Sequence, residues 1–397
     1  MKDEKKAPKL RFKGFTDDWE QCKLGDVAEI VGGGTPSTKK SEYWNGNINW
    51  FTPAEIGNQI FVSHSQKKIT ELGLLKSSAK ILPAGTILFT SRAGIGNTAI
   101  LTRNACTNQG FQSIVPYSNK LDSYFIYSES AKLKRYGETM GSGSTFTEVS
   151  GKQMKKMSLH IPNINEQAKI GNMLKILDRT ITLHEEKKRQ LERLKSALLQ
   201  KMFADKSGYP PVRFEGFSDK WEQVKYGEIF QRRSKMGVST PTLPSVEYDD
   251  INPGMGTLNK EPKSKGISKR GIYFNPGDVL FGKLRPYLKN WLFACFEGVA
   301  VGDFWVLTSS KIDHGFTYSL IQTPGFQYIA NLSSGSKMPR SDWGLVSNAR
   351  TFIPINHLEQ ERISSVLFGL DHAITLYEHK LEILNKIKSF LLQNMFI

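Results

Sequence analysis

The sequence predicts an α+β protein: two globular α+β domains, related by a pseudo-two-fold axis and separated by two long antiparallel coiled-coil-like helices. Three observations carry that expectation. Pro8, Arg11, Phe12, Gly14, Phe15, Asp17, Trp19-Glu20-Gln21, Lys23 and Gly25 return as Pro210, Arg213, Phe214, Gly216, Phe217, Asp219, Trp221-Glu222-Gln223, Lys225 and Gly227, eleven of twenty aligned positions being identical. Residues 163–203 return as 356–396 with twenty of forty-one positions identical. Between these blocks the two halves hardly resemble each other. Repeats of roughly 20–50 residues indicate solenoids; a shift of 193, from Asn163 to Asn356, indicates two whole domains on one retained frame.

The elements follow in order. Residues 1–162 form the first globular domain. Its turn Pro83-Ala84-Gly85 before Ile87-Leu88-Phe89 reads as turn then strand, as does Ser113-Ile114-Val115, and a helix is expected near 122–136. Residues 163–203 read as one long helix, because Ile170, Leu174, Leu177, Ile181, His184, Lys188, Leu191, Lys195, Leu198 and Met202 alternate by four and three. Residues 204–211 form a linker. Residues 212–355 form the second globular domain, with strands at Val279-Leu280-Phe281 and Trp305-Val306-Leu307 and a helix near 316–331. Residues 356–397 form the second long helix, with Ile363, Leu367, Leu370, Ile374, Tyr377, Leu381, Leu384, Lys388, Leu391 and Met395 on its seam. Pro162 and Pro354 stand just before the helices, where proline punctuates an entry. Two similar seams can satisfy each other, so Ile170, Leu174, Leu177, Ile181, Leu191 and Leu198 are expected to meet Ile363, Leu367, Leu370, Ile374, Leu384 and Leu391.

Composition narrows the partner. The 54 Lys and Arg outnumber the 38 Asp and Glu, for a net charge of +16. That excess favours a polyanion, since phosphate neutralisation with counterion release dominates non-specific nucleic-acid binding. Residues 1–206 carry +12 and the remainder +4. Cys22, Cys106 and Cys295 lie far apart and form no CxxC pair, which suits a reducing cytoplasm rather than a disulfide framework or zinc site. The charged start Met1-Lys2-Asp3-Glu4-Lys5-Lys6 has no apolar stretch behind it, and no run approaches 18 apolar residues. A cytoplasmic protein without a membrane segment is expected.

Motifs for chemistry are missing. Gly32-Gly33-Gly34-Thr35-Pro36-Ser37 lacks the Gly-Lys-Ser/Thr ending of a phosphate-cradling NTPase loop. There is no HExxH, no metal-like cluster among seven histidines, and no Asn-Pro-Pro-aromatic tetrapeptide. Asp278 and Lys283 fail a nuclease pattern, because Phe281 stands where a second carboxylate belongs. No catalytic residue, metal or cofactor is assigned to this chain.

Binding equipment remains. In the first domain Thr35, Ser37, Thr38, Lys39 and Lys40 follow a triple glycine and offer hydroxyls and charge. Arg92, Asn108 and Gln109 offer a fork and amides that match guanine and adenine edges. Tyr43-Trp44 and Trp50 are candidates for stacking or for core. The second domain offers different residues: Arg232, Arg233 and Lys235; Lys283, Arg285 and Tyr287; Lys337 and Arg340.

The frame resembles the specificity subunit of Type I restriction–modification enzymes. The likeness lies in Arg-Phe-x-Gly-Phe-x-Asp-x-Trp-Glu at 11–20 and 213–222, and in Gly33-Gly34-Thr35-Pro36-Ser37 followed by Tyr43-Trp44-x-Gly46. It lies also in Gly282-Lys283-Leu284-Arg285-Pro286-Tyr287, in Ile-Pro with Glu-Gln shortly after, and in the closing Leu-Leu-Gln-x-Met-Phe. The resemblance implies two target-recognition domains held apart by an antiparallel helix pair, each reading one part of a split, asymmetric double-stranded DNA site. It implies two modification subunits that bind S-adenosylmethionine and methylate adenine. It also implies two restriction subunits that use ATP and Mg and cut. The recognition domains are the family's variable parts, so no base assignment carries over. The competing readings are an enzyme with cryptic nuclease or methyltransferase activity and a non-specific nucleic-acid scaffold.

Overall fold

A two-stranded antiparallel ribbon closes each globular part where its chain enters and leaves: Glu20–Lys23 pairs with Ser158–Ile161, and Glu222–Lys225 with Arg350–Ile353. The computed structural model describes residues 7–57, 59–92, 94–142, 148–261, 268–332 and 338–397. They fall into two compact units, Met1–Thr182 with Glu382–Ile397, and Leu183–Leu381. Both long helices contribute to each unit.

In the first unit a five-stranded sheet runs in the order Ala28–Gly32, Gln112–Pro116, Ile87–Phe89, Thr98–Leu101, Phe61–Val62. Ile87, Leu88 and Phe89 are fully buried, so this central strand needs an unbroken apolar run rather than alternation. Gly85 precedes it at φ 87°, a left-handed position that closes the turn without a Cβ penalty. A second sheet orders Lys67–Ile69, Trp44–Phe51 and Cys106–Thr107. The helix expected near 122–136 is two, Ser123–Ser128 and Ser130–Gly141, because Glu129 between them leaves helical geometry at ψ 15°.

The second unit carries two four-stranded sheets. One orders Gln231–Arg232, Phe304–Thr308, Val279–Gly282, Trp291–Phe293; the other orders Met236–Val238, Arg270–Phe274, Gly298–Ala300, Ser245–Val246. The helix expected near 316–331 again divides, into His314–Ile321 and Pro324–Ala330. Pro324 cannot donate an amide to a continuing helix, and the Thr323 hydroxyl accepts from Phe326 N to start the next.

The long helices span Ile164–Lys201 and His357–Asn394, 38 residues each. The repeated frame locks each to its globular part by the same contacts. In the first unit Arg11 forks onto Glu166 at 2.9 and 2.7 Å; in the second Arg213 forks onto Glu359 at 2.7 and 2.9 Å. Lys169 lies over Phe15 at 4.8 Å, and Arg362 over Phe217 at 5.4 Å. Trp19 packs edge-on against Phe125 and Phe396, as Trp221 does against Phe316 and Phe203. The Gln167 amide oxygen accepts from Asp122 N, and the Gln360 oxygen from Asp313 N. Leu10 N donates to Asn394 O in one unit, and Val212 N to Lys201 O in the other. The repeated residues therefore build a junction of three pieces: a domain, the start of its own helix and the end of the other.

That junction decides what the heptad seam touches. Ile170 and Leu174 are buried in the first core together with Met395, with Leu391 against it; Ile363 and Leu367 are buried in the second with Met202, with Leu198 against it. Further along, Ile181 and Ile374 are buried, and Leu177, Leu191, Leu370 and Leu384 are half-buried. The contacts run antiparallel within each unit: Lys388 meets Asp178 at 2.5 Å in the first, Lys195 meets Asp371 at 2.5 Å and His184 faces Tyr377 at 5.4 Å in the second. Lys188 also pairs with Glu378. No helix among the described residues is long and apolar enough to cross a membrane.

Candidate nucleic-acid interface

The expected contact residues of the first unit lie on three loops that the backbone ties together. Gly34 N donates to Thr107 O at 2.8 Å, and Ser91 N to Gly110 O at 2.8 Å, so the glycine loop, the 107–110 loop and the tip carrying Arg92 adjoin. The glycines serve close packing. A Cβ on Gly33 would stand 2.0 Å from Asn108 O, and one on Gly34 2.4 Å from the backbone of Ser78 and Ala79. Trp50 is core, its indole N–H donating to Gly34 O at 2.8 Å; Trp44 packs edge-on against it and donates to Ser37 O at 3.1 Å. The loop that follows the triple glycine is thus pinned by two indoles.

On that pinned loop Thr35 donates to the Gln109 side-chain oxygen at 2.6 Å, and Gly110 N donates to the Asn108 side-chain oxygen at 2.8 Å. Each amide keeps its NH2 for another acceptor. Ser37, Thr38, Lys39 and Lys40 are exposed, Lys40 standing 3.9 Å from Glu42. Arg92 is exposed at 4.0 Å from Glu148, a separation at which a surface ion pair contributes little.

In the second unit Arg232, Arg233 and Lys283 line one open cleft of about 930 Å³ whose walls include Phe304, Trp305 and Trp343. Arg232 lies over the Trp343 ring at 4.6 Å with its guanidinium edge exposed. Arg233 is committed elsewhere: it forks onto the fully buried Asp278 at 2.5 and 3.0 Å. Asp278, which also accepts from Asn275 N, is a structural anion of the Asn-Pro-Gly-Asp turn. Lys235 lies over Tyr273 at 5.4 Å.

Asp303 sets a second cluster, 3.5 Å from Lys283 and 3.1 Å from Arg340, so two cations share one anion. Arg285 and Tyr287 lie on the adjoining hairpin tip, where Arg285 N donates to Pro339 O at 2.8 Å. Behind them Tyr248 donates to Asp303 O at 2.5 Å and accepts from Leu284 N, and burial pushes its phenol up to about 12. Lys337 lies outside the described residues. Sequence reasoning missed Asp303 and Trp343. Asp303 stands between Gly302 and Phe304, and Trp343 three positions after Arg340, which marks no particular contact.

The arrangement offers binding and little chemistry. Burial pushes the Cys22 and Cys106 thiols up to about 11, which keeps them protonated and poor nucleophiles. Among the described residues no group of His, Cys, Asp and Glu could hold a metal ion.

Comparison with known proteins agrees with the repeated frame. The Type I restriction modification DNA specificity domain matches residues 16–193. The Type I restriction enzyme MjaIX specificity subunit of Methanocaldococcus jannaschii is 29% identical over 409 residues, covering 95% of this chain and 92% of that one. The EcoR124I/EcoR124II specificity subunit of Escherichia coli is 32% identical over 182 residues, 44% of this chain and 43% of that one. The crystal structure of the Type I restriction–modification S subunit from M. genitalium has the same fold, with a TM-score of 0.67 at 16% identity over 98% of this chain and 99% of that one. Along nearly its whole length the chain is similar to a specificity subunit of a Type I restriction–modification enzyme, and its residues 16–193 match the DNA specificity domain of those systems.

Proposed function

We propose that this chain is a Type I specificity subunit that reads a bipartite, asymmetric double-stranded DNA site, one part with each globular unit, and directs adenine methylation and DNA cleavage performed by partner subunits. One observation carries the reading: identical locks (Arg11 on Glu166, Arg213 on Glu359) hold two different loop sets in the same frame. A protein needs that design to present two dissimilar base-contacting surfaces from one scaffold. The first surface offers Thr35, Asn108, Gln109 and Arg92. The second offers Arg232, Lys283 and Arg340, with Arg285 on the adjoining hairpin tip. The excess of positive charge supplies affinity that falls steeply as salt rises.

Two modification subunits and two restriction subunits complete the complex. S-adenosylmethionine, ATP and Mg bind there, in the cytoplasm. Exposed apolar residues of the long helices supply the docking positions. Leu183 and Leu376 are equivalents under the 193-residue shift, as are Leu194 and Ile387, and all four are exposed. Equivalent patches suit two copies of one partner. The test is to map methylated adenines in DNA exposed to the assembled complex. The expected result is one sequence in two parts with a fixed unspecified spacer; methylation at a single continuous site, or without sequence preference, overturns the reading.

A further inference from the structure

The hairpin that joins Val279–Gly282 to Trp291–Phe293 has an unusual tip. Arg285 and Lys289 are left-handed at φ 48° and 59°, two of only three non-glycine residues with positive φ among the described residues. Such conformations disfavour side chains with a Cβ and persist only where surrounding structure over-determines them. Here it does. Arg285 N donates to Pro339 O, Leu288 N to Arg285 O, Lys289 N to Pro286 O, and Gly254 N to Lys289 O, all at 2.8–2.9 Å. Pro286 is buried beneath the turn. The consequence is a rigid knuckle that holds Tyr287 56% and Leu288 43% exposed, consecutive and outward, with a cation on either side.

The matching hairpin of the first unit, between Ile87–Phe89 and Thr98–Leu101, solves the same closure differently. Its left-handed positions are Gly94 and Gly96, at φ 99° and 96°. Its one large apolar residue, Ile95, is buried, and the helix Ser130–Gly141 carries Gly137 and Gly141 where a Cβ would fall within 2.9 Å of it. Glycine would relieve the second tip as well. Basic side chains stand there instead, around an apolar pair with no cover.

We infer that Tyr287 and Leu288 form a wedge that enters between adjacent base pairs of the DNA, while Arg285 and Lys289 hold the phosphates on either side. Apolar wedges flanked by cations unstack and kink a duplex in this way, and pyrimidine–purine steps open most readily. The second unit then reads deformability at one step, and the first unit does not. The inference rests on the DNA-reading function proposed above and deepens it.

The test uses the full chain and duplexes that it selects from a random-sequence pool, with 2-aminopurine placed at each adenine in turn. Wild type should raise the emission several-fold at one step, in the part of the site bound by the second unit. Tyr287→Ala with Leu288→Ala, both exposed positions, should abolish that rise and weaken binding roughly tenfold, the loss expected for one stacked aromatic. Arg285→Gly, which keeps the left-handed backbone and removes one phosphate contact, should weaken binding and lessen its salt dependence; an unchanged salt dependence overturns the phosphate grip. No rise in wild type, or a rise that survives the double substitution, overturns the wedge and leaves sequence reading intact. A pool from which no sequence is selected overturns both. A double variant that unstacks DNA normally and loses its modification subunits assigns the knuckle to a protein partner instead.

Discussion

The ammonium of Lys388 lies 2.5 Å from the carboxylate of Asp178, and 193 positions away in each direction Lys195 lies 2.5 Å from Asp371. Each pair joins the later part of one long helix to the earlier part of the other, so the contact reports antiparallel helices in both units independently. The surroundings differ. Asp178 receives a second donor, the Tyr124 hydroxyl at 2.7 Å. In the second unit the residue two beyond the helix-capping aspartate is Gly315, not tyrosine, and the second oxygen of Asp371 is buried with no hydrogen-bond partner. One ion pair is fully satisfied and its counterpart is not.

Tyr124→Phe should therefore destabilise the first unit. The change removes one buried hydroxyl and leaves a buried carboxylate oxygen without its donor, at a cost of about 1–3 kcal/mol. Urea denaturation should show a lower midpoint with an unchanged slope. An unaltered midpoint would mean that water or Lys388 alone satisfies Asp178.

Asp371 predicts a pH effect of definite sign. Burial raises its carboxyl above the ordinary range and outweighs the lowering by Lys195. The folded state then holds the proton to higher pH than the unfolded chain. Its relative stability is fully present below the unfolded pKa and is lost as pH rises through the folded one. Asp371→Asn removes this dependence, while Lys195 keeps Gln322 as a partner at 2.6 Å. Melting curves from the acid range toward neutrality should show wild type losing ground steadily to the variant. A constant difference across that range would place the Asp371 pKa at its unfolded value.

Glu166 and Glu359 are the anchors of the repeated frame, 0% and 1% exposed at their side chains. Replacing either by alanine strands a mostly buried guanidinium, and at Glu359 also the Trp221 N–H that donates to it at 3.3 Å. Breaking one partner of such a pair costs about 3–5 kcal/mol. Both variants should lower the thermal midpoint, Glu359→Ala by the larger amount, because its lock also holds the Trp221 N–H. A loss below 1 kcal/mol at either site, the range of exposed pairs, would show that the fork holds nothing.

These locks mark how far the sequence could be read. The long helices were legible to within three residues, 163–203 against Ile164–Lys201 and 356–397 against His357–Asn394, because a seam alternating by four and three is a local signal. What the frame residues do was not legible. Arg11 and Glu166 lie 155 positions apart, and no local pattern pairs them. Likewise Ile170 and Ile363 carry the heptad, yet each sits in its own unit's core, where the first helical turns must cover the domain they leave. On the candidate surface the residue types were legible and their commitments were not. Arg233 and Arg232 are neighbours in sequence, but a buried Asp278 takes one while Trp343 leaves the other free at its edge. Those outcomes depend on a turn 45 positions away and a helix 111 positions away, where local propensity carries no information.

The ribbons make a final prediction about modularity. Leu24 N donates to Met157 O at 2.8 Å, and Tyr226 N to Ala349 O at 3.0 Å, each immediately inside its ribbon. The ends of each divergent segment are thus already hydrogen-bonded to each other, and the residues outside them belong to the repeated locks. Exchanging 24–157 for the corresponding segment of another family member should leave Arg11, Trp19 and Glu166 untouched and alter only the first surface. Methylation mapping of the exchanged complex should then show one part of the site replaced, with the other part retained. Exchanging 226–349 should replace the other part. Joint alteration of both parts by either exchange, in a complex that still assembles and methylates, would mean that the two units do not read independently.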